Sequence, residues 1–183
     1  MKNTTKILVF CAIAVVINVV VGSLVSAAKI PLLFLDTVGT ILISVKFGMF
    51  YGILTGVSTN LLMGITTGPT AIPFALVNIA IAIVVSLIAK KDFTYKKAII
   101  TGLILAFVAP MIGAPIRLAL FGGFTGSGTD IVIIALKSAG KEMITSVYWG
   151  AVAGNLVDKV ISCLFVAWLL KKPEVNRIMS VTR

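Results

Sequence analysis

An all-α integral membrane protein with six transmembrane helices is the fold class this sequence predicts, and three observations predict it. Hydrophobic residues make up 59% of the chain and charged residues 12%, with a mean hydropathy of +1.14, whereas soluble domains carry about 25% charged residues. The 183 residues fall into apolar runs with short polar connections, room for about six spans of ~20 residues and for no separate soluble domain. The basic residues sit in short groups between those runs, as in cytoplasmic loops under the positive-inside rule. The net charge of +10 therefore does not point to nucleic acid, and no nucleic-acid motif accompanies it.

The first span is expected over 7–28. Lys2 and Lys6 precede it as in a signal peptide, but no convincing cleavage site follows, so it reads as a retained span. Pro31 in the connection KIPLLF stops the helix. The second span, over 32–45, is short: LDTVGTILISV covers about half a bilayer before Lys46, and a short or tilted helix follows. Asp36 reads as a helix N-cap. Lys46 to Gly48 form a tight turn into the third span, 49–65. There Gly48, Gly52 and Gly56 make a small-xxx-small stripe for close helix packing, and Asn60 is placed to line a cavity or bond a backbone carbonyl. TTGPTAIP reads as a loop, and the fourth span covers 72–89 with Asn78 inside it.

KKDFTYKK, with four lysines in eight residues, is the strongest cytoplasmic loop. Placing it inside puts the N-terminus, the Lys46 turn and the C-terminal tail on the same side, with eleven of the sixteen Lys and Arg residues. Lys91 and Arg183 count among those eleven, and Lys29, Arg117, Lys137, Lys141 and Lys159 are left over. Both termini are thus expected in the cytoplasm. The fifth span, 98–121, contains Pro110, Gly113 and Pro115, which predict a kink or unwinding in its outer half. Arg117 either snorkels to lipid headgroups or grips an anionic substrate group. GGFTGSGTD is an outer loop without a nucleotide-binding pattern. From Asp130 an amphipathic stretch forms a surface helix before the sixth span, over 145–170.

That last span carries Asn155, Asp158 and Lys159 on or near one helical face, with Tyr148 and Trp149 about two turns earlier. Ionisable groups inside a span face a cavity, a protein interior or a partner. Either this face lines a binding cavity, or Asp158 and Lys159 pair with polar neighbours and hold helices together. The topology gathers Asn78, Arg117, Tyr148, Trp149 and Asn155 in the outer half, with Asp158 and Lys159 deeper and Glu142 either paired or at the mouth. Apolar walls with a few convergent polar groups suit a small-molecule site. A pore would need a polar lining on both sides. Histidine is absent, which removes the commonest metal ligand and general base; no metal, cofactor or catalytic residue is assigned. Cys11 and Cys163 read as small hydrophobes.

The chain resembles the substrate-binding S components of energy-coupling factor vitamin transporters. The likeness covers the length, the six spans, the inward termini and the small-residue-rich first span. It is carried in particular by FLDTVGTILISVKFGMFYGILTGVSTNL and GNLVDKVISCLFVAWLLKK. The resemblance implies a multi-pass protein of a bacterial-type cell membrane that captures a vitamin or related micronutrient from outside, without catalysis of its own. It further implies docking of the first span, around Ala12, Ala14 and Val16, on a transmembrane coupling subunit driven by two ATPase subunits. The family's Ala-xxx-Ala pattern is degenerate here, since Val16 follows Ala12 and Asn18 follows Ala14. An oligomeric secondary transporter or channel is the alternative.

Overall fold

The computed structural model describes residues 2–28, 30–90 and 92–180. Lys29, Lys91 and Arg183, and the side chain of Lys2, lie outside what it describes. Among the described residues eight α-helices follow in order: α1 Lys2–Ala27, α2 Val38–Phe47, α3 Met49–Thr66, α4 Ala75–Ile88, α5 Tyr95–Phe121, α6 Asp130–Ser138, α7 Met143–Leu169 and α8 Pro173–Ile178. A 3-10 helix, Pro69–Phe74, leads into α4, so the expected loop there is instead a tight helical entry with prolines at 69 and 73. No strand occurs among the described residues. Among the described residues, five segments are long and apolar enough to cross a membrane: Asn3–Ala27, Met49–Thr66, Pro69–Ile88, Tyr95–Phe121 and Met143–Leu169. The chain is therefore built as a multi-pass membrane protein.

Helix α2 is the exception in length and the centre in position. Its ten residues rise about 15 Å, half the apolar thickness of a bilayer. Every residue from Val38 to Ser44 is buried, and α1, α3, α4 and α7 all pack on it. An all-round buried helix must admit its neighbours closely, and small residues do so here. A Cβ on Gly39 would meet the Ala14 carbonyl oxygen at 2.3 Å. The predicted glycine stripe of α3 serves two partners: a Cβ on Gly52 would stand 2.0 Å from Ser44 of α2, and one on Gly56 2.8 Å from Asn78 of α4. Gly48, at φ +91°, makes the α2–α3 turn instead, a conformation that side chains disfavour.

Asn18 joins three helices in the middle of this apolar packing. Its Oδ1 accepts the Gly39 amide at 2.6 Å, and its Nδ2 is 3.0 Å from both Thr40 and Thr59 Oγ1. Buried amides without such partners would be costly in an apolar interior. Cys11 and Cys163 are free and buried.

Several expectations are corrected. Helix α5 stays continuous through Pro110 and Pro115, so no unwinding occurs. Its close packing along α7 holds the helix where two amides are missing. Ala14 is buried in the α1–α2 contact, while Ala12 and Val16 stay exposed; the three do not share one free face. The C-terminal tail contains α8, which Lys46 fastens to α2 through a 2.7 Å bond to Asn176.

Candidate functional site

The connection between α1 and α2 is non-helical, and Leu32 and Leu35 adopt φ +60° and +53°, uncommon for residues with a Cβ. Irregular backbone at membrane depth persists only where protein groups satisfy it. Asp158 of α7 does so: its Oδ1 accepts the amides of Phe34 at 2.9 Å and Leu35 at 2.7 Å. Its Oδ2 takes a 2.6 Å bond from Lys159, whose Nζ also donates to Thr37 Oγ1 at 2.9 Å. Asp36 is not the N-cap of α2. Thr37 holds that position without a side-chain cap bond, and Asp36 Oδ1 lies 3.6 Å from Lys159 Nζ.

Above this charged cluster, at the end of the bundle opposite the start of α5, lies a cavity of about 390 Å³, within the roughly 300–1,000 Å³ usual for small-molecule sites. Helical periodicity explains who reaches it. From α7 come Ala151, Asn155 and Lys159, spaced by four; from α5 come Ala109, Gly113, Arg117 and Phe121, likewise by four. Helix α3 supplies Asn60 and Met63, its C-cap supplies Thr67, and the 3-10 segment with α4 supplies Phe74 and Asn78. Phe34, Phe74 and Phe121 give aromatic walls, the last two with ring centroids 6.5 Å apart. A smaller cavity of about 160 Å³ adjoins it under the Gly-rich loop, sharing Phe34 and Asp36.

Arg117 neither reaches lipid headgroups nor stands free for a ligand. It is only 7% exposed, and its guanidinium holds the Gly-rich loop. Nε donates to the Gly123 carbonyl at 2.7 Å, one terminal nitrogen to Thr129 Oγ1 at 2.8 Å, and the other pairs with Asp130. Asp130 Oδ2 in turn accepts the Gly126 amide at 2.7 Å. The planar fork matches a carbonyl, a hydroxyl and a carboxylate together, so the loop is pinned across the cavity mouth.

Of the eight sequence-derived candidates, Asn78, Arg117, Asn155 and Lys159 line the cavity. Asp158 lies behind it, fully buried, on the backbone just described. Tyr148 shares the helical face of Asn155, but α6 packs across α7 at that height, and Tyr148 rests on the Ala114–Ile133–Val147 cluster. Trp149, edge-on to Tyr148, is 48% exposed on the outside of the bundle. Glu142 is exposed at the N-cap of α7, where its carbonyl accepts from Ser146. Asp36, read from the sequence as a helix cap, and the phenylalanine walls lie in the cavity without having been assigned to it. An acid beside the apolar LLFL run, in a chain with a lysine deep in its last span, was the available signal for Asp36.

Compared with protein-family models, with curated proteins and with solved structures, the chain matches none.

Proposed function

We propose that this chain is a membrane-embedded substrate-capturing subunit of the S-component type, which takes a vitamin-like small molecule from outside. It passes that molecule inward with a transmembrane coupling subunit and two ATPase subunits, and itself carries out no catalysis. The observation that carries the reading is the cavity of about 390 Å³ at the end away from the lysine-rich loops. The positive-inside rule turns those loops to the cytoplasm and the cavity to the outside. In this reading α2 counts as a sixth, incomplete crossing supported by its neighbours. Exposed apolar residues of α1, including Val9, Ile13, Val16 and Val20, face lipid or the coupling subunit.

Purification of a tagged chain from membranes is expected to bring the coupling and ATPase subunits with it. The competing reading, an unaided oligomeric transporter, is favoured by one observation. A third cavity, of about 270 Å³, lined by Lys46, Asp92, Lys171 and Asn176 among others, opens at the lysine-bearing end. Accumulation of ligand in liposomes containing this chain alone would establish that reading and remove ours.

A further inference from the structure

The hydrogen bonds of the cavity have a direction. The Ala71 carbonyl can only accept, so Asn60 must present Nδ2 to it, at 2.9 Å. That leaves Asn60 Oδ1 to receive Asn78 Nδ2 at 2.6 Å. The relay fixes both amide orientations from the backbone outward and leaves Asn78 Oδ1 without a partner, on a residue only 4% exposed. Asn155 repeats the logic: its Nδ2 donates to the Ala151 carbonyl at 2.9 Å, which leaves its Oδ1 as a further acceptor. Asp36 Oδ1 is also buried without a hydrogen bond. Of the three buried side-chain atoms without a hydrogen bond among the described residues, two thus belong to the cavity lining, and both are acceptors.

The charges agree. Both cations of the cavity are already neutralised by the chain, Arg117 by Asp130 and Lys159 by Asp158. The carboxylate of Asp36 remains in formal excess, 3.6 Å from a lysine committed elsewhere. An anionic ligand would meet no free cation and three oxygen acceptors. A ligand bearing N–H donors would supply what buried acceptors need, and a positive charge on those donors would also match Asp36.

We infer that the cavity selects a small aromatic or heteroaromatic molecule with an amine, amidine or ring-cation group, whose N–H donors engage Asp36, Asn78 and Asn155 while its ring lies between Phe34, Phe74 and Phe121. This rests on the binding reading proposed above and adds the ligand class to it.

Probe pairs matched in ring and opposite in charge test it: benzamidine against benzoate, and tryptamine against indole-3-acetate. Each is titrated against the purified full chain in detergent, with the melting temperature followed. The cations are expected to raise the melting temperature in a saturable way and the anions to leave it unchanged. Asp36→Asn and, independently, Asn78→Leu are expected to weaken cation binding by roughly tenfold or more, the worth of one charge-assisted hydrogen bond. Elution of each variant as a single folded species controls for misfolding. Stabilisation by the anions, absence of a shift with every cation, or unchanged affinity in both variants overturns the inference. A purified chain that retains a carboxylate-bearing molecule lacking any amine or amidine overturns the ligand class alone. A chain that retains no small molecule and responds to no probe overturns the binding reading with it.

Discussion

Asp158 Oδ1 accepts the main-chain amide of Leu35 at 2.7 Å, across 123 residues of chain. One carboxylate in α7 thereby fixes a left-handed backbone residue between α1 and α2. The pairing of Asp158 with Lys159 is thus part of the scaffold beneath the cavity. Replacing Asp158 with Ala strips two backbone amides of their acceptor and leaves a buried ammonium poorly compensated. A loss of about 3–5 kcal/mol is expected, seen as a large fall in melting temperature or in extractable protein. A variant that melts like the parent would remove this structural role.

Asn18 predicts a second sensitivity, remote from the cavity. Asn18→Leu leaves the Gly39 amide unsatisfied where α1 meets α2, at an expected cost of about 1–3 kcal/mol. Thermal melting checks it, and an unchanged or higher melting temperature would show that apolar packing compensates for the lost bonds.

The Arg117–Asp130 pair governs the loop over the cavity. Arg117→Lys keeps the charge and loses the fork that joins Gly123, Thr129 and Asp130. Faster cleavage within 122–129 by an added protease is expected, with α5 and α7 intact. Equal cleavage of parent and variant would mean that the loop holds itself.

Orientation is testable because Cys11 and Cys163 are buried and should stay silent to labelling. Thr125 and Lys96 are exposed at opposite ends of the bundle. In intact cells a membrane-impermeant maleimide is expected to label Thr125→Cys and to spare Lys96→Cys. The reverse pattern would turn the cavity to the cytoplasm.

Much of the helical framework was legible because burial in an apolar solvent leaves a coarse signal. The long helices follow from unbroken apolar runs, and the short α2 from the early appearance of Lys46. The site was legible only in part, for a geometric reason. Periodicity places Asn155, Lys159 and Tyr148 on one face of α7, but not the height at which α6 ends the cavity and covers Tyr148. Neighbours in sequence also diverge: Lys159 lines the cavity while Asp158, about 100° around the helix, turns to the Phe34–Leu35 backbone. Arg117 and Asp36 were misread because their partners, Asp130 and Lys159, lie in other elements. A polar residue's partner across the bundle is a tertiary fact that spacing along one helix does not carry.

The central claim is that the cavity between α3, α4, α5 and α7 holds a small molecule, and its most direct test is mass spectrometry of what the gently purified protein releases on denaturation. One small molecule, near one per chain, is expected from the parent. That molecule is expected to be lost from Asn155→Ala, whose side chain faces the cavity and bonds only within its own helix. Release of nothing specific from the parent, or of equal amounts from parent and variant, would contradict it.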